Sequence, residues 1–253
     1  MCRHLAYLGP PRPLAALIVD APHGLLRQSY APRDMRGGGS VNADGFGLGW
    51  YQPGVDAPLR YRRDCPIWTD AALPALAAAT VSGAALCAVR NATTGMPTME
   101  TAAAPFTEGR FLFSHNGRIT GWPDSVAGLA GTLPTRDLLT LDAPTDAALL
   151  WALVRHRLRT GASTVDAVAE TVFAVEAAAP GSRLNVLLTD GTAVVATAWT
   201  HSLSYLRRDG AVLLASEPLD DDPGWRPVPD RHLVAATTGA VDLTDLSGRT
   251  ITA

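Results

Sequence analysis

The chain has 253 residues, 47% of them hydrophobic and 18% charged, with a formal net charge of −3. That size supports one large domain or two small ones around a substantial core, and the near-neutral charge leaves no electrostatic footprint for nucleic acid. No apolar run approaches the roughly 20 residues that span a bilayer, and the N-terminus lacks the basic-then-apolar order of a secretory signal, so a cytoplasmic protein without membrane or nucleic-acid partners is expected.

The chain opens "MCRHLAYLG". Removal of Met1 would expose Cys2, which would then carry a thiol and a free α-amine on one residue. The two groups titrate near about 8.5 and about 7.7–8.0, so the amine can take the thiol proton at neutral pH. A cysteine at position two is by itself an ordinary chain start. The segment after it reads as a strand that would carry Cys2 into the fold. "RGGGSVNADGFGLGW" has neither a following helix nor a Gly-Lys-Ser/Thr ending, which argues against a phosphate loop and for a flexible turn. The basic run Arg60-Tyr61-Arg62-Arg63 alternates like a solvated strand edge. Three cysteines, Cys2, Cys65 and Cys87, form no CxxC spacing and no even set, against both a disulfide framework and structural zinc. Cys87 reads as a small buried hydrophobe and Cys65 has no catalytic companion.

Strand-like runs at 86–90 and 111–114 each lead into a polar, Gly-containing turn, "NATTG" and "HNG", where chemistry is commonly displayed. Arg90 with Thr93 and Thr94 suits a carboxylate grip, though an arginine there also fits a surface ion pair. Asn116 and the Gly117 N–H suit an oxyanion, or simply an Asn-Gly turn, with His115 a packed residue beside them. Asp146 fits both an ammonium ligand and a helix start. Leu149, Leu150, Leu153, Val154 and Leu158, then Val165, Val168, Val172 and Val175, repeat at helical spacing and predict an antiparallel helix pair. Asp190-Gly191 and Asp209-Gly210 predict two hairpins. Strands, a helix pair, then strands predict an α+β fold in one domain over 1–253.

Taken in order, "MCRHLAYLG", "NADGFGLGWY", "RNATTG", "FSHNGRI" and "PTDAALL" resemble the class II glutamine amidotransferases of the N-terminal-nucleophile hydrolase superfamily. The resemblance implies a four-layer αββα sandwich with antiparallel sheets and cleavage of a γ-glutamyl amide. It further implies catalytic Cys2, Asn116 and Gly117, with Arg90 and Thr93 on the glutamyl carboxylate and Asp146 on its amine. No metal or organic cofactor is implied, the partner is a small γ-glutamyl substrate, and no motif specifies an oligomeric state. Asn91 and Thr94 stand where many members carry an aromatic residue and a histidine. No synthase domain is expected, and the tail "ASEPLDDDPGWRPVPDRHLV" resembles the stand-alone branch that removes glutamate from a γ-glutamyl sulfoxide in ergothioneine biosynthesis. A glutathione-type γ-glutamyl hydrolase, a glutaminase subunit and an inactive γ-glutamyl-binding scaffold share these motifs. For a substrate bearing a quaternary ammonium, Trp50, Tyr51, Trp68 and Trp122 are the candidate aromatic faces.

Overall fold

The computed structural model describes residues 2–36 and 41–248; Met1 and residues 37–40 of the glycine-rich stretch lie outside the described residues. β1 (Arg3–Pro13) is followed by α1 (Ala15–Ile18), α2 (Leu25–Gln28), β2 (Phe46–Trp50), β3 (Leu59–Arg63), α3 (Leu73–Ala79) and β4 (Val81–Val89). β5 (Phe106–Glu108) and β6 (Phe111–Arg118) precede α4 (Ala127–Ala130), α5 (Thr135–Leu139) and the long helices α6 (Asp146–Arg159) and α7 (Thr164–Ala178). β7 (Arg183–Thr189), β8 (Val194–Ala198), β9 (Ser204–Arg208), β10 (Ala211–Ala215), β11 (Arg226–Pro227), β12 (His232–Ala236) and β13 (Val241–Asp245) follow.

The strands form two sheets, ordered β11-β9-β10-β1-β4-β2-β3 and β13-β12-β8-β7-β6-β5, antiparallel throughout. Side chains alternate across a strand, so a strand buried on both faces must be apolar at nearly every position. β1 shows this: Leu5 and Tyr7 pack on the helical side with Leu17, Ile18 and Leu25, while Ala6 and Leu8 meet Leu187, Ala196 and Val234 of the other sheet. In β6, Leu112 faces the first sheet and Phe113 lies under α6, stacked on Trp151 at 5.3 Å between ring centroids. Three apolar interfaces therefore separate four layers, helices, sheet, sheet, helices, as the resemblance implies. Full burial of each Leu, Val or Phe contributes about 1.5–3 kcal/mol.

Local chemistry ends the elements where expected. Thr145 caps α6, its hydroxyl accepting from Ala148 N at 3.3 Å, and Ser163 caps α7 by accepting from Asp166 N at 3.1 Å. Asp209 and Gly210 both adopt positive φ, 53° and 71°, which suits the right-handed twist of the β9–β10 hairpin. Three expectations need correction. "HNG" is not a turn: β6 continues through it, pairing Asn116 with Asn185 and Gly117 with Leu184. "FGLGW" is likewise strand β2 rather than flexible turn, held between β3 and β4. The basic run is β3, the edge strand, but Tyr61 and its arginine neighbours are half-buried rather than fully solvated.

Candidate active site

Cys2 leads directly into β1, and β4, the neighbour of β1, delivers Arg90 beside it by pairing Val89 with Arg3. Across the interface, β6 of the second sheet brings Gly117, and the N-terminus of α6 brings Asp146. Cys2, Arg90, Thr93, Gly117 and Asp146 line one cleft. Phe46 and Phe106 form apolar walls. Five of the six residues expected at the site are thus together. The sixth, Asn116, is buried just behind, its side chain reaching across the sheets to donate from Nδ2 to Ser216 Oγ at 3.2 Å.

The Cys2 sulfur accepts from Asn91 N at 3.4 Å. Asn91, at the position where many class II members carry an aromatic, ties its side-chain amide to the Val41 carbonyl. Arg90 forms no ion pair among the described residues; its Nη1 only reaches the Asp44 carbonyl at 3.4 Å, so its fork is free for an anion. Asp146 accepts from Ile119 N at 3.0 Å and from Ala147 N at 2.8 Å. The helix-start and ligand readings of Asp146 are compatible, because capping falls to Thr145 while the carboxylate lines the cleft.

Asp44, within "NADG", supports the cleft from behind its lining. Its carboxylate accepts from Ala92 N at 2.8 Å, and backbone bonds join Asp44 N to the Arg90 carbonyl and Arg90 N to the Gly45 carbonyl. The loop that follows β4 is therefore pinned from β2's entry. Burial, helped by the nearby Arg3 guanidinium, pushes His4 down to about 3; burial, Arg183 and Arg3 do the same to His201. Both imidazoles are neutral at physiological pH. His115 lines the cleft and donates from Nε2 to the Arg183 carbonyl at 2.8 Å. Cys87 is buried, its thiol pushed up to about 12, and Cys65 is half-buried outside the cleft.

A second groove adjoins the first, sharing Thr93, Met96 and Asp146 and adding Thr94, Arg118 and Trp122. Of the four candidate aromatic residues only Trp122 lines either groove. Trp50 packs on the helical side of the first sheet, Tyr51 donates to the carbonyls of Arg110 and Thr189, and Trp68 meets Tyr30 edge-on.

The model of the class II glutamine amidotransferase family matches residues 14–210. The chain belongs to the class II glutamine amidotransferases. Among amidotransferase relatives, the gamma-glutamyl-hercynylcysteine sulfoxide hydrolase of Mycolicibacterium smegmatis is 43% identical over 246 residues, covering 97% of this chain and 100% of that protein. The protein of the same name from Mycobacterium tuberculosis is 42% identical, covering 97% of each chain. The solved structure of a glutamine aminotransferase class-II domain protein from Silicibacter pomeroyi shares the amidotransferase fold, with a TM-score of 0.69 and 20% identity over 97% of this chain and 99% of that one.

Proposed function

We propose that this amidotransferase-family chain is a hydrolase that cleaves the γ-glutamyl amide of γ-glutamyl-hercynylcysteine S-oxide, releasing glutamate, with Cys2 as its nucleophile. The observation that carries this reading is one cleft lined by the Cys2 thiol, an arginine with no ion pair among the described residues, a threonine, a carboxylate and a strand glycine, in a chain alike over 97% of its length to hydrolases of that name. Arg90 and Thr93 take the glutamyl α-carboxylate and Asp146 its α-ammonium. This holds the γ-carbonyl against Cys2 and removes much of the entropic part of the barrier.

In the first step the sulfur attacks the γ-carbonyl carbon, while the Cys2 α-amine, freed by removal of Met1, takes the thiol proton. Asn116 Nδ2 and the Gly117 N–H receive the oxyanion. Collapse breaks the C–N bond as the amine hands its proton to the departing nitrogen. Water, activated by the same amine, then hydrolyses the thioester. Burial holds His4 and His201 down at about 3, which makes both weak proton acceptors. The chain is read as one catalytic domain working in the cytoplasm; among the described residues no helix is long and apolar enough to cross a membrane.

The direct test is incubation with the γ-glutamyl sulfoxide, following free glutamate and trapping the acyl-enzyme by acid quench. Glutamate release with a γ-glutamyl adduct mapped to Cys2 supports the reading; release with no adduct on Cys2, or no release, overturns it. Arg90→Lys is expected to raise KM by roughly 10- to 100-fold with kcat little changed, since one ammonium cannot replace two charge-assisted bonds. An unchanged KM removes the clamp role.

The second groove is assigned to the leaving group. That group carries a trimethylammonium, which has no N–H and suits an aromatic face, and carboxylates, which suit Arg118. Trp122→Ala is expected to lower kcat/KM for the sulfoxide by about 2- to 30-fold while glutamine turnover is unaffected. An equal loss on both substrates contradicts that assignment.

A further inference from the structure

The tail stretch "SEPLDDD" has no part in the scheme above, yet its first two residues flank the nucleophile. β1 and β10 pair Leu5 with Ala215, so Ser216 and Glu217, leaving β10, run beside His4 and Arg3; Ser216 N donates to the His4 carbonyl at 2.9 Å. Their side chains serve different partners.

Ser216 is fully buried between the sheets. Its Oγ accepts from His4 N at 3.0 Å and from Asn116 Nδ2 at 3.2 Å, and donates to the His4 carbonyl at 3.3 Å. One hydroxyl therefore joins the nucleophile strand to the oxyanion asparagine of the opposite sheet. It occupies one of the two amide hydrogens of Asn116 and leaves the other for a ligand.

Glu217 is 2% exposed. Its Oε1 accepts from Arg3 Nε at 2.8 Å, and its Oε2 accepts from Arg33 N at 2.8 Å and faces His23 Nε2 at 2.7 Å. Arg3, fully buried, spends its other nitrogens on the Cys2 carbonyl at 3.0 Å and on the Asp34 carbonyl. Desolvating such a pair offsets most of its attraction, so net stability is a poor reason for it. A guanidinium locked on both sides does fix the backbone atom it holds, the carbonyl of Cys2, and with it the direction of the Cys2 thiol and amine.

We infer that Ser216 and Glu217 are positioning residues for hydrolysis, Ser216 aiming the Asn116 amide at the oxyanion and Glu217, through Arg3, orienting Cys2. This rests on the proposed roles of Cys2 and Asn116.

The test is a double-mutant cycle on the γ-glutamyl sulfoxide with Ser216→Ala, Asn116→Ala and both together, reading kcat and KM separately alongside thermal unfolding. Removing one oxyanion donor costs about 10²–10³ in kcat, so misaiming it is expected to cost about 10- to 100-fold, with KM within about twofold. In the Asn116→Ala background, Ser216→Ala should lower kcat no further, because what it aimed is gone. Losses that multiply overturn the role of Ser216, since a merely structural hydroxyl would be missed equally in both backgrounds. Alkylation of Cys2 by iodoacetamide, which needs no oxyanion donor, separates the second half. Glu217→Gln should slow both alkylation and hydrolysis, whereas Ser216→Ala should leave alkylation unchanged. Wild-type alkylation in Glu217→Gln overturns the role of Glu217. Should that variant not fold, Arg3→Lys breaks the same contact to Cys2 and carries the same expectation. A wild type inactive on the sulfoxide, or Asn116→Ala with wild-type kcat, removes instead the functional reading on which the inference stands.

Discussion

Cys2→Ala is expected to abolish γ-glutamyl hydrolysis, lowering kcat by at least roughly 10⁴-fold, while the unfolding temperature stays close to that of the wild type. Loss of a nucleophile leaves only the contribution of binding and oxyanion contacts, which is why such variants fall by several orders of magnitude. The fold is insensitive because Cys2 is half-buried and its sulfur touches only the Asn91 backbone among its hydrogen-bond partners. Retention of Met1 is expected to be nearly as damaging, since it converts the proposed base into an amide. Intact-mass analysis of each preparation, run beside the activity assay, checks both statements. Wild-type turnover by Cys2→Ala or by protein that keeps Met1 contradicts the assignment.

Gly117→Ala is the second large effect. A Cβ at this position would stand 1.8 Å from the Arg183 carbonyl oxygen and 2.6 Å from its carbon. These are backbone atoms of the adjacent strand and cannot swing aside, so β6 and β7 must part where Gly117 pairs with Leu184. Overpacking of this kind costs typically about 1–3 kcal/mol, and the displaced N–H is the proposed oxyanion donor, so kcat is expected to fall by about 10²–10³-fold. Measuring kcat and thermal unfolding together tests this. A variant with normal kcat and an unshifted transition places the oxyanion donor elsewhere.

The hairpins and the helix pair were legible because their signals are local: Asp-Gly turns need only their own φ angles, and a helical face needs only its own period. Arg90, Thr93, Asp146 and Cys2 were legible as chemistry, and it was their order along the chain that made them one site. The reading of "HNG" as a turn failed for a reason outside the segment. Gly117 is small because of Arg183, 66 positions later in the sequence, and no local pattern reports that approach. Asp44, Ser216 and Glu217 escaped notice for the same reason, as each acts on a partner brought near only by sheet pairing. "FGLGW" misled because glycines suggest flexibility, whereas here they sit in a strand flanked by β3 and β4. Trp122 could not be separated from Trp50, Tyr51 and Trp68 by sequence, since all four are aromatic residues near polar segments and only the groove distinguishes them.

The most direct measurement of the central claim is kcat/KM of the wild-type protein, with Cys2 verified as its N-terminal residue, for γ-glutamyl-hercynylcysteine S-oxide, glutathione and glutamine under one set of conditions. The shared glutamyl moiety makes the proposed contacts of Arg90, Thr93 and Asp146 common to all three, so any difference between them reports the leaving group. The account predicts that the sulfoxide is preferred by at least about tenfold, the equivalent of roughly 1.4 kcal/mol of transition-state binding in the adjoining groove. Turnover of glutamine or glutathione equal to or above that of the sulfoxide would contradict it and make the chain a general γ-glutamyl hydrolase.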